Sequence, residues 1–172
     1  MKRFIIRLAY DGSAYHGWQI QQNALTVQQK VNEALTEIFR FGIETIGCGR
    51  TDTGVHASDF YIHFDAPELP KSLLVRLNQL LPADIRVYSL YESPTDFNVR
   101  FDALSRTYRY YIMSVADPFR NCYAWHMHRS LDIELMNRAC AILMQHDDFE
   151  CFSKVHTQVG HFRCHIMSAQ WT

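Results

Sequence analysis

The sequence predicts an α+β fold with a mostly antiparallel sheet. Three observations carry this expectation. Several short stretches alternate apolar with polar residues, two longer ones repeat apolar residues at helical spacing, and together they run in the order β-α-β-β-α-β. That order is the split βαβ arrangement of ferredoxin-like units, with the helices on one face of the sheet. Residues 1–104 are read as this unit, and residues 105–172 as the start of a second, incomplete α+β domain.

Residues 3–10 (RFIIRLAY) put Phe4, Ile6, Leu8 and Tyr10 on one face and Arg3 and Arg7 on the other, the period of a strand. Asp11-Gly12 signals a turn, and a loop follows to Gly17-Trp18-Gln19. Thr26 with Gln29 forms a capping box. It opens a helix with Val27, Val31, Ala34, Leu35 and Ile38 on one side, closed by Gly42. Residues 43–48 and 59–65 read as strands, and a short helix from about Ser72 carries Leu73, Leu74, Leu77 and Leu80. Residues 85–91 (IRVYSLY) alternate again. In the second unit, 106–114 and 163–171 read as strands and 132–144 as a helix.

The composition excludes several classes. With 48% hydrophobic and 20% charged residues, the chain is an ordinary globular sequence rather than a disordered one. Its apolar runs are too short for a signal peptide or a membrane span, so a cytoplasmic protein is expected. Five cysteines with no CxxC pair read as reduced thiols. The net charge of −1 announces no nucleic-acid partner, yet thirteen arginines outnumber four lysines. Arginine is the residue suited to forked phosphate contacts and to stacking on bases.

The stretch richest in chemistry is Gly49-Arg50-Thr51-Asp52-Thr53-Gly54-Val55-His56-Ala57, between two predicted strands. It gathers a guanidinium, a hydroxyl, a carboxylate and an imidazole. Arg50 close to Asp52 would favour the ionised carboxylate, ready as nucleophile or base. The bland alternative is a turn in which Thr51 or Asp52 merely bonds backbone amides. Further along, Arg100, Arg106 and Arg109 interleave with Phe101, Tyr108, Tyr110 and Tyr111. Strand alternation would send Arg106, Tyr108 and Tyr110 to one face, and a basic aromatic face suits looped RNA.

The string GRTDTGVHA resembles the signature of the tRNA pseudouridine synthase A family. Tyr10-Asp11-Gly12, Gly17-Trp18-Gln19 with Gln21, Thr26-Val27-Gln28, Leu77-Asn78, and Leu81-Pro82-Ala83-Asp84-Ile85 are similar to that family's motifs in the same order. So are Phe97-Asn98-Val99-Arg100-Phe101 and Arg106-Thr107-Tyr108-Arg109-Tyr110. The resemblance implies isomerisation of uridine to pseudouridine in the tRNA anticodon stem-loop, with no cofactor and no metal. It makes Asp52 the catalytic residue, attacking ribose C1′ or base C6. Arg50 and Tyr108 become substrate-binding residues, and Arg100, Arg106 and Arg109 candidate RNA contacts. It further implies tRNA as partner, a homodimer and no membrane association. Thr53, in place of the usual alanine, and Asn98-Val99, in place of His-Ala, depart from the pattern. Family members continue past Thr172 into a part that carries a further active-site arginine. The sequence is therefore expected to be an N-terminal portion, inactive and prone to self-association when alone.

Three rival readings compete. His126, His128, His156, His161, Cys164 and His165 invite a metal site, but no CxxC pair of a structural zinc site occurs. A non-catalytic RNA-binding ferredoxin-like module would use aromatic residues on central strands, yet the RNP1 pattern is missing. A hydrolase built on Asp52 and His56 would lack a serine or cysteine in a known arrangement.

Overall fold

The computed structural model describes residues 1–153 and 161–172. The chain divides into two compact units, Met1–Arg109 and Tyr110–Thr172.

The first unit is α+β. Its elements are β1 (Lys2–Tyr10), α1 (Val27–Phe39), β2 (Ile46–Gly47), β3 (Ala57–Ala66), α2 (Leu73–Leu80) and β4 (Ile85–Ser93). The sheet order is β2-β3-β1-β4, and every neighbouring pair is antiparallel. Register follows the apolar pattern: Phe4 faces Phe64, Ile6 faces Ile62 and Leu8 faces Phe60. Those side chains, with Ile85 and Val87 of β4, pack in one core with Val27, Val31, Leu35 and Ile38 of α1 and Leu73 and Leu77 of α2. A one-residue slip would turn the whole apolar set outward, so the pattern itself specifies the pairing. Each fully buried Leu, Ile or Phe adds roughly 1.5–3 kcal/mol.

α1 starts as expected, with the Thr26 hydroxyl accepting from the Gln29 amide at 3.3 Å. Only half of the capping box forms, because the Gln29 side chain donates forward to Glu33 at 2.8 Å. The helix ends before the expected glycine. Arg40 takes the left-handed conformation (φ 63°), and its N–H closes on the Thr36 carbonyl.

The strand expected over 43–48 shrinks to Ile46–Gly47. Side chains of α1 explain this, because they take the backbone groups that a strand would need. Thr36 accepts from the Ile43 N–H at 3.1 Å, Asn32 accepts from the Thr45 N–H at 3.2 Å, and Gln28 donates to the Thr45 carbonyl at 2.6 Å. The segment is tied to the helix before it reaches the sheet.

In the second unit, α3 (Ile133–Leu143) agrees with the expected helix, and Asp132 caps it by accepting from Leu135 N at 2.8 Å. The strand expected over 106–114 is reduced to β5 (Ile112–Met113), which pairs in parallel with β6 (Trp125–His126). Residues 104–110 lie outside regular structure, so the expected alternation of Arg106, Tyr108 and Tyr110 does not hold. No strand forms over 163–171. Arg163 makes a single isolated bridge to Asp148 instead.

Candidate active site

Residues 48–56 form the connection between β2 and β3, and Tyr10 at the end of β1 bonds into it. The base of this loop is fastened at several atoms. Trp18 N–H donates to the Thr51 carbonyl at 3.2 Å, and the Thr51 hydroxyl shares a 2.8 Å hydrogen bond with the Tyr10 hydroxyl. Gly54 N–H donates to the Tyr15 carbonyl at 3.2 Å. Two glycines make the approach possible. A Cβ on Gly12 would run into the carbonyl of Val55, and one on Gly17 (φ 85°) into that of Thr51. Here glycine is required by the closeness of two backbones.

An aromatic cluster supports the base. Tyr10, Trp18 and Phe60 are all buried, with Trp18 and Phe60 ring centres 4.6 Å apart and Tyr10 against Phe60 at 5.5 Å. Burial raises the Tyr10 phenol to about 12, a shift only partly offset by its hydrogen bond to Thr51. The hydroxyl therefore keeps its proton and serves as an anchor. Tyr15 is likewise pushed up, first by burial and then by the Asp84 carboxylate, to which its hydroxyl donates at 2.7 Å.

At the tip, the Arg50, Asp52 and Thr53 side chains are exposed. Asp52 follows the doubly held Thr51 directly, and its own carbonyl accepts from Val55 N–H at 3.2 Å. The carboxylate is thus presented to solvent from a backbone fixed on both sides. His56 holds its Nδ1 2.9 Å from the Asp11 carboxylate and 3.1 Å from the Gly12 nitrogen. One nitrogen cannot do both. Bare, it accepts from Gly12; protonated, it donates to Asp11.

The arginines expected to touch RNA separate into two kinds. Arg100 and Arg109 are exposed, with the Arg100 guanidinium 5.5 Å from the centre of the Phe101 ring. Arg106, also exposed, bonds the protein itself, donating from Nε and Nη2 to the Cys48 carbonyl at 3.1 and 2.7 Å, and from Nη2 to the Arg100 carbonyl at 2.7 Å. Tyr108, two residues on, is 71% exposed, and its ring is open to a partner.

Among the described residues, no group of three or more His, Cys, Asp or Glu side chains is placed to hold a metal ion. His126 and His128 have ring centres 4.2 Å apart, and His156 lies outside the described residues. Sequence reasoning assigned no role to Tyr10, Tyr15, Trp18 or Asp84. The signal was present in the polar-tipped aromatic residues beside the Asp11-Gly12 turn, because a buried tyrosine hydroxyl needs a partner.

No family model matches the chain. Curated proteins do. The chain is 47% identical over 174 aligned residues to the tRNA pseudouridine synthase A of Bacteroides thetaiotaomicron, covering 100% of this chain and 65% of the relative. It is 46% identical over 175 residues to that of Bacteroides fragilis and 45% identical over 175 residues to that of Parabacteroides distasonis. These two alignments cover 100% of this chain and 69% of each relative. The chain thus spans about two thirds of the length of the curated relatives it matches. The alignments run through the loop, its glycine supports and the Tyr108 segment alike, and on them the chain belongs to the tRNA pseudouridine synthase A family.

Proposed function

We propose that the natural protein isomerises uridine to pseudouridine in tRNA, in the anticodon stem-loop, with Asp52 as nucleophile. The observation that carries this reading is the exposed Asp52 carboxylate on a loop whose adjoining residue, Thr51, is held by Tyr10 and Trp18. A nucleophile held this way needs no rearrangement to meet its target. The target uridine leaves its stack at a cost of about a few kcal/mol. Asp52 then attacks ribose C1′ or base C6, and the N1–C1′ bond breaks. The uracil turns, C5 bonds to C1′, the Asp52 adduct is released, C5 loses its proton and N1 gains one. No atom is added to the nucleoside or removed from it overall, so the reaction consumes no co-substrate. Tyr108 stacks on the loose base, and Arg50, which makes no ion pair with Asp52 among the described residues, contacts phosphate beside the flipped nucleotide. Arg100 and Arg109, both exposed, are the candidate contacts to the RNA backbone.

The family relation supports a homodimer bound to tRNA, and tRNA as substrate supports the cytoplasm as compartment. Among the described residues, no helix is long and apolar enough to cross a membrane. The test is tritium release from tRNA labelled at uracil C5, using the natural protein. Release that disappears in Asp52→Asn supports the reading. Tight tRNA binding with no release would favour a non-catalytic RNA-binding module instead.

A further inference from the structure

We propose that Arg106 is a positioning residue that ties the Tyr108 segment to the stem of the Asp52 loop and so sets the spacing between the two. The proposal rests on the reading given under Proposed function, in which both residues meet one uridine. Its geometry stands independently of that reading.

Two fixed points flank the tether. The first is Cys48, directly after β2, whose N–H is bonded to the Tyr61 carbonyl of β3 at 2.8 Å. Asp52 follows four residues later. The second is the turn at 97–102. Arg3 of β1 donates to the Phe97 carbonyl at 2.8 Å, and the buried His63 of β3 accepts from Val99 N–H at 3.4 Å. Within the turn, the Asn98 carbonyl accepts from Phe101 and Asp102, and the Asp102 carboxylate accepts from Asn98 N–H at 2.7 Å. The turn is therefore clasped to the sheet and closed on itself.

Beyond Asp102 the chain runs without regular structure to Tyr108, exposed from Leu104 onward. Among the described residues, the hydrogen bonds that hold residues 103–109 are those of the Arg106 guanidinium. It joins the two fixed points by donating to the carbonyls of Cys48 and Arg100 together. The task suits arginine. Its rigid planar fork reaches two acceptors at once, whereas a lysine ammonium is a point donor on a flexible stem. A guanidinium occupied in this way orders the protein.

The proposal is tested in the natural protein with Arg106→Gln, Arg106→Lys and, as control, Arg76→Gln on the exposed side of α2. Turnover of tRNA is measured together with hydrogen exchange over residues 48–55. Arg106→Gln is expected to lower kcat by about 10- to 100-fold, the scale of a misplacement near 1 Å, with KM within about threefold of the parent. Exchange over 48–55 should rise while that of β1 stays unchanged. Arg106→Lys should recover part of both, and Arg76→Gln should match the parent. A raised KM with unchanged kcat and exchange would assign Arg106 to RNA binding and overturn the tether. Parent-like kcat and exchange would overturn it too. If exchange rises in Arg106→Gln but even the parent makes no pseudouridine, the tether stands and the proposed function falls.

Discussion

The base and the tip of the loop over 49–57 are built in opposite ways. At the base, backbone meets backbone across Gly12 and Gly17, and Tyr10, Trp18 and Phe60 are buried beneath. At the tip, Arg50, Asp52 and Thr53 face solvent. The difference teaches how such a loop is held. Its shape is imposed by neighbouring segments of chain, which leaves the tip residues free to be chosen for chemistry. Substitutions at the base should therefore act through stability, and those at the tip through rate.

The sharpest division is expected at Asp52. Asp52→Asn in the natural protein keeps the shape and removes the nucleophilic charge. It should hold product formation below about a few per cent of the parent while the melting temperature stays within about 2 °C. Product well above that level would remove Asp52 from the chemistry, and a large loss of melting temperature would erase the distinction between tip and base. Gly12→Ala tests the other side. Its methyl group must displace the Val55 carbonyl, and urea unfolding should show a loss of about 1–3 kcal/mol. A parent-like midpoint would mean that the base is looser than the contacts indicate.

Tyr108 is a tip residue from another part of the chain, and its exposure places it on the rate side. Tyr108→Ala should weaken tRNA binding and turnover together by about 1–3 kcal/mol, the range of base–aromatic stacking. Tyr108→Phe keeps the ring and should mainly slow the chemical step. Neither variant should shift the unfolding midpoint, and parent-like kinetics in both would reduce Tyr108 to a surface residue. The smallest effect is expected at Tyr10→Phe, which removes one hydrogen bond from the base. It should cost about 0.5–1.5 kcal/mol of stability. Activity would then fall only as far as Thr51 shifts. A variant that unfolds normally but loses most of its turnover would show that the Tyr10–Thr51 bond belongs to the tip in function.

Much of this was legible in the residues. Alternation in β1 and β4 and the repeat in α1 identify a buried face without any partner in view, because burial on one face is a property of each element alone. Pairing and side-chain competition are not. Residues 43–45 look like a strand until Asn32, Thr36 and Gln28 take their backbone groups. Residues 106–111 have the aromatic composition of a strand, but composition cannot supply the neighbouring strand. At the site, the reactive cluster around Asp52 was evident from its chemistry. The supports were hidden, since Tyr10 and Trp18 act through contacts with residues more than thirty positions away. Arg106 could be read only as one more arginine until its carbonyl acceptors were known.

The clasp between Thr51 and the Tyr10–Trp18 region has a consequence for the order in which the molecule forms. Its hydrogen bonds join residues 33 and 41 positions apart, and neither can close until β1 and β3 have been brought together. Contacts of such separation carry their loop-closure entropy before any stabilisation is returned. The helices can gather early from local contacts, whereas the loop bearing Asp52 takes its shape only on a sheet already assembled. A chain that has collapsed but not yet paired its strands possesses every residue of the candidate site and none of its geometry.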